Sequence, residues 1–118
     1  MKINEERLWR HIQELGQIGQ AADGSVTRFP FTEEDEAAAE LLKGWMQEAG
    51  LRVRVDACGN IIGTIPGRNE KLAPVICGSH FDTVKEGGIF DGCLGVLAGI
   101  EVLQTIQEAG IQPKRPLK

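Results

Sequence analysis

The stretch "VICGSHFDTVKEGGIFDGCLGVLAGIEVLQTIQEAG", residues 75–110, decides how this chain is read. It opens on the short apolar run Val75–Ile76–Cys77, which the sequence predicts to be a strand buried on both faces. That strand delivers the chain into "GSHFDT", where His80 and Asp82 stand two residues apart. In an extended segment, side chains at that spacing share a face. A neutral imidazole ligates zinc and similar ions. A carboxylate beside it can accept the other ring proton and fix the ring. Asp91 follows after "VKEGGIF", whose paired glycines permit a sharp reversal that would return it toward His80. From there a third helix runs to Gly110, apolar nearly all round in its first half and therefore expected deep in the protein. Gly95 and Gly99, about one turn apart, leave room for its backbone to approach a sheet closely. Strand, functional loop and helix in that order place a candidate site at the carboxyl end of the strand.

Each residue also has a plain structural reading. His80 could be a hydrogen-bonded structural histidine, Asp82 the cap of a turn, and Asp91 the N-cap of the helix. His80 and Asp91 are two candidate ligands, whereas a zinc site normally has four, or three plus water. Cys93, near a helix start where a thiol pKa can fall, allows a cysteine-nucleophile reading with His80.

Upstream of this stretch the elements alternate. A first helix is predicted from the N-cap Asn4, with Leu8, Ile12 and Leu15 on one face and Gly16 and Gly19 weakening its far end. "VTRFPF" reads as extended, since Phe29 precedes a proline. Thr32 with Asp35 resembles a capping box. The helix it opens carries Ala38, Leu41, Leu42, Trp45, Met46 and Ala49 as its apolar stripe and ends at Gly50. "LRVRVD" alternates as a half-buried strand does. Gly59–Asn60 marks a turn, so residues 51–65 form a hairpin; Asn60 shapes that turn or reaches the site. "PGRNEKLAP" is a loop, and Leu117 begins a further strand. Arg28 and "RFPFT" are candidates for a substrate entrance, and Lys85 and Glu86 for solvated loop charges. The whole is a layered α/β arrangement in a single domain, residues 1–118.

Composition narrows the function classes. The 118 residues carry 13 basic and 17 acidic side chains, a net charge of −4, which argues against a nucleic-acid binder. No apolar run approaches the roughly 20 residues of a membrane helix, and the N-terminus lacks the apolar core of a signal peptide. A cytoplasmic location with no membrane partner is expected. Cys58, Cys77 and Cys93 fit no disulfide framework and no zinc knuckle, and are expected to be reduced, partly buried thiols.

Taken together, "GSHFDTV" and "GGIFDGCLGVLAGIEVL" resemble the first metal-ligand segment of the amidase/hydantoinase/carbamoylase family of dinuclear metallohydrolases. That family includes N-carbamoyl-L-amino acid hydrolases and allantoate amidohydrolases and is related to the aminoacylases and zinc aminopeptidases. "TEEDEAAAELLKGWMQEAGLRVRVDACGNIIGTIPG" is similar to the lead-in helix and hairpin of the same enzymes, and the likeness runs from about residue 4 to the end. The resemblance implies the N-terminal part of a layered α/β/α zinc-aminopeptidase-like catalytic domain, with helices on a mixed sheet. It implies His80 as a ligand to one metal, Asp91 as a bridge between two, and Asp82 as the catalytic-site partner that orients His80. It implies two divalent ions, zinc or alternatively manganese, cobalt or nickel. The reaction would be hydrolysis of the carbamoyl or amide C–N bond of N-carbamoyl-L-amino acids or related ureido acids through a metal-bound water. The resemblance implies a protein that is commonly a homodimer through a domain absent here, which leaves the oligomeric state of this chain open.

The departures are equally clear. Family members are three to four times longer. Their glutamate pair and remaining histidine ligands find no match here, since Glu101 and Glu108 lie on the third helix and His11 on the first. The expectation is an N-terminal part that is inactive alone. An aminoacylase or metallopeptidase part, and a non-catalytic folded domain, are the alternative readings.

Overall fold

The computed structural model describes all of residues 1–118 and contains three helices and one hairpin: α1 (Glu5–Gln17), α2 (Glu33–Glu48), β1 (Arg52–Val55), β2 (Ile61–Thr64) and α3 (Cys93–Glu108). The mixed α/β architecture is the expected one. Asn4 caps α1 by accepting a hydrogen bond from the Arg7 amide, and the Thr32 hydroxyl does the same for Asp35 at the start of α2. Asp35 answers by accepting from the Phe31 amide at 2.9 Å, one residue earlier than in an ideal capping box. Gly50 and Gly110 take the left-handed backbone that ends their helices, at φ 76° and 65°.

One core joins the helices to the hairpin. Ile12 and Leu15 of α1, Ala38, Leu42, Trp45 and Met46 of α2, and Leu97, Ile100 and Leu103 of α3 are buried in it, with Leu51 and Ile65 at the hairpin ends. The apolar stripe expected on α2 is therefore the one that packs. β1 and β2 pair antiparallel in the register Val53↔Gly63. The turn between them is tied by Asp56, whose carboxylate accepts from the Cys58 and Asn60 amides and from the Asn60 side chain, each at 2.9 Å. Asn60 thus shapes the turn, and its hydrogen bonds hold the Asp56 carboxyl below the usual carboxylate range.

α1 is fastened to α3 by charge as well as packing. Arg7 reaches Glu101 at 2.7 Å and Glu108 at 2.5 Å. Glu101 is buried and also accepts from the Asn4 amide and the Thr105 hydroxyl. Burial works to raise its carboxyl, but these donors outweigh it and hold it low, while Glu101 and Glu108 push the Arg7 guanidinium higher. Both glutamates of α3 are thereby absorbed in an interhelical ion network. His11, buried and stacked on Trp45 at 4.0 Å, joins α1 to α2, and burial lowers its pKa.

Two expectations need correction. Residues 75–77 do not form a strand buried on both faces: Val75 is 55% and Ile76 70% exposed. The run makes only an isolated parallel bridge, Val75 to Leu117, while Leu117 also bridges Ile65 antiparallel. The apolar composition suits a strand, but within residues 1–118 the run's backbone pairs only with residues 116–118. The cysteines differ too, since Cys58 and Cys77 are exposed and only Cys93 is buried.

Candidate metal centre

The segment carrying His80 and Asp82 is anchored from behind by Arg28. The Arg28 side chain is 1% exposed. Its guanidinium donates to the carbonyls of Phe81 at 2.8 Å, Leu15 at 3.0 Å and Ile18 at 2.8 Å, and lies 3.1 Å from the Cys93 sulfur. Its backbone pairs with Thr83 in both directions, the Thr83 amide donating to the Arg28 carbonyl and the Arg28 amide to the Thr83 hydroxyl, each at 2.9 Å. Arg28 is therefore not at a substrate entrance. It is a buried cation whose planar set of donors ties α1, the 81–83 segment and the start of α3 together.

With Phe81 and Thr83 fixed inward, His80 and Asp82 turn outward. The His80 Nδ1 lies 3.1 Å from Asp82 Oδ1 and 3.2 Å from the Asp82 carbonyl. Asp82 is thus placed to accept the Nδ1 proton, which leaves Nε2 as the free, lone-pair-bearing nitrogen. The ring rests on Gly92, where a Cβ would run into it. Gly92 holds φ 70° and ψ −52° and supplies the N-cap of α3 without a side-chain hydrogen bond.

Asp91 precedes that glycine, is exposed, and is not the N-cap. Its carboxylate makes no hydrogen bond or ion pair within the protein, whereas its carbonyl accepts from the Cys93 amide at 2.7 Å. The start of α3 brings a partial positive charge to this end, which favours a negative group there. The three sequence-predicted residues thus sit on one loop and at one helix start, with His80 paired to Asp82. They do not form a cluster of three or more donors able to enclose an ion. The donors that stand free, an imidazole nitrogen and a carboxylate, suit a borderline divalent metal and supply half of a tetrahedral set.

The close approach expected of α3 is present. A Cβ on Gly95 would lie 2.8 Å from the Ser79 Cβ, and one on Gly99 3.2 Å from the Cys77 sulfur. Gly92, Gly95 and Gly99 thereby seat the helix backbone directly against residues 77–80. The cysteine-nucleophile reading fails: Cys93 is 1% exposed, and burial raises its thiol pKa against the opposing pull of Arg28. Lys85 and Glu86 are exposed loop charges as expected. Sequence reasoning missed the anchoring role of Arg28; its only signal was a lone basic residue inside an otherwise apolar extended run.

Residues 60–118 match the model of peptidase family M28. The chain belongs to that family. It is 48% identical over 116 residues to an N-carbamoyl-L-amino acid amidohydrolase of Geobacillus stearothermophilus, covering 98% of this chain and 28% of the relative. It is 37% identical to a ureidoglycolate hydrolase of Oryza sativa, covering 98% of this chain and 24% of that protein. Among solved structures, a hydantoinase/carbamoylase family amidase from Burkholderia ambifaria superposes with a TM-score of 0.94 at 43% identity, over 98% of this chain and 29% of that one. The resemblance to hydantoinase/carbamoylase amidases is borne out. The chain spans about a quarter of the length of these relatives. No helix is long and apolar enough to cross a membrane.

Proposed function

We propose that residues 75–92 are the first metal-ligand segment of an amidohydrolase that acts on N-carbamoyl-L-amino acids or related ureido acids. His80, through Nε2, and Asp91 would hold the divalent ions. Asp82 keeps the His80 proton on Nδ1, and Arg28 holds the segment in place. The ions, when bound, supply a lowered pKa for attacking water and stabilisation of developing charge. The single observation that carries this reading is the 3.1 Å contact of His80 Nδ1 with Asp82, which leaves Nε2 without a protein partner. The names of the relatives support the substrate class. These 118 residues hold two ligands and no general base, so the segment is half of a site. Activity needs the remaining groups, and the substrate's own anchors lie among them.

Calorimetric titration of the metal-stripped protein with zinc and with manganese tests this. Weak binding is expected, lost in both His80→Ala and Asp91→Ala. No binding by the parent protein, or binding unchanged in both variants, overturns the assignment. The family name itself favours a second reading, a peptidase or aminoacylase. A protein restored to the relatives' full length and assayed on N-carbamoyl, N-acyl and peptide substrates separates the two.

A further inference from the structure

We infer that α1, a helix that carries neither candidate ligand, is the common support of both, and that Trp9 and Gly16 are the residues that position Asp91. The inference rests on the reading of His80 and Asp91 as metal ligands and adds the residues that set one relative to the other.

His80 is tied to α1 through Arg28. The Arg28 guanidinium holds the Phe81 carbonyl on one side and, on the other, the carbonyls of Leu15 and Ile18 at the end of α1. Asp91 reaches the same helix by a different route. Past Thr83 the chain pairs with Val26 at Gly87, in both directions, at 2.8 and 2.9 Å. It then packs onto α1. Ile89 fills a notch at the buried Gly16, where a Cβ would lie 2.7 Å from the Ile89 Cγ2. The next residue, Phe90, stacks on Trp9, with ring centroids 6.3 Å apart and planes 25° from parallel. That is within the range over which offset aromatic pairs attract. Trp9 and Gly16 stand about two helical turns apart, on one face of α1.

Asp91 follows at once. Phe90 is already joined to α3, its carbonyl accepting from the Leu94 amide at 2.9 Å. Residues of α1 thus fix the two positions before Asp91, while the His80 ring lies against Gly92, the position after it. The other α1–α3 fastening, Arg7 with Glu101 and Glu108, touches nothing in this loop. The Trp9 and Phe90 rings are each about half exposed, so their stack adds little to the core and acts on the placement of the loop. Placement matters because metal ligands must be held to within about 0.5 Å of the productive geometry.

Two readouts test this, one of them free of metal. In the metal-free protein, Trp9→Ala is expected to speed amide exchange about tenfold at Leu94 and to leave the Leu103 amide, in the middle of α3, unchanged; this is the pattern of a local opening, not of a general loss of stability. In zinc titrations the same variant is expected to bind about tenfold more weakly. Trp9→Phe keeps a ring to stack and should recover most of that loss. Glu108→Gln is the control: it lowers the urea midpoint and leaves zinc affinity as in the parent. Gly16→Ala is the second variant. Its methyl favours α1 as a helix yet displaces Ile89, so helix content holds while zinc affinity falls. Three results overturn the proposal: equal acceleration at Leu94 and Leu103 in Trp9→Ala, unchanged zinc affinity in both Trp9→Ala and Gly16→Ala, or a loss in Glu108→Gln as large as in Trp9→Ala. A parent protein that binds no zinc overturns the ligand assignment instead, and the exchange comparison then decides alone whether Trp9 fixes the loop.

Discussion

The two sides of the 80–83 segment are built to opposite rules. Its inward side, Phe81 and Thr83, is closed: the Phe81 carbonyl accepts from the Arg28 guanidinium, and the Thr83 amide and hydroxyl bond the backbone of Arg28 and Val26. Its outward side, His80 and Asp82, is open, with their side chains 53% and 42% exposed. The difference teaches that a loop can be rigid without being enclosed. Its backbone is fixed by buried hydrogen bonds that no ligand touches, so the displayed atoms need no further support from their own surroundings.

The comparison is broken most severely by removing the closed side. Arg28→Met leaves carbonyls of Leu15, Ile18 and Phe81 without their donor, and unpaired buried groups are costly. A loss of about 3–5 kcal/mol is expected from breaking such a network, read as a lower urea midpoint. Arg28→Lys should recover only part of it, since one ammonium cannot replace the planar fork. Gly92→Ala comes next. The backbone there has φ 70°, and the added methyl meets the His80 ring. Strain of this kind costs about 1–3 kcal/mol, and a displaced ring should also weaken the proposed metal binding, so thermal melts and metal titrations should change together.

A pH titration sharpens the contrast with a smaller effect. His11 has a lowered folded pKa, so its contribution to stability is present above about 6.5, its ordinary value, and is lost as pH falls through the folded value. Glu101, also lowered, contributes above about 4.3 and is lost at more acid pH. Urea midpoints measured from pH 7 to about pH 2 should fall in that order. His11→Phe should flatten the first part only. Asp82→Ala is the mildest change to the fold, within about 0.5 kcal/mol for an exposed side chain. It should still weaken metal binding about 10- to 100-fold, because the imidazole loses its orienting partner. A large stability loss from Asp82→Ala would erase the distinction between the two sides.

Local signals carried most of the fold. The caps Asn4 and Thr32, the stop at Gly50, the α2 stripe and the hairpin turn are each written in a few adjacent residues, and each appears where those residues put it. The pairing of His80 with Asp82 is also local and was legible for that reason. Residues 75–77 were misjudged because a strand's burial depends on neighbours far along the chain, and composition reports only what the run is suited to. Arg28 was misjudged on similar grounds: its partners lie at positions 15, 18, 81 and 93, and no spacing rule links them.

The glycine face of α3 has an evolutionary consequence. At Gly92, Gly95 and Gly99 one added methyl would press on His80, Ser79 and Cys77 respectively. Variation at these pairs cannot proceed one position at a time. A larger residue on the helix becomes acceptable only after its neighbour on the 77–80 segment has shrunk or moved, and at Gly92 that neighbour is the His80 ring. Mutational paths through this face are therefore ordered, and the helix start should drift more slowly than the same helix two turns on.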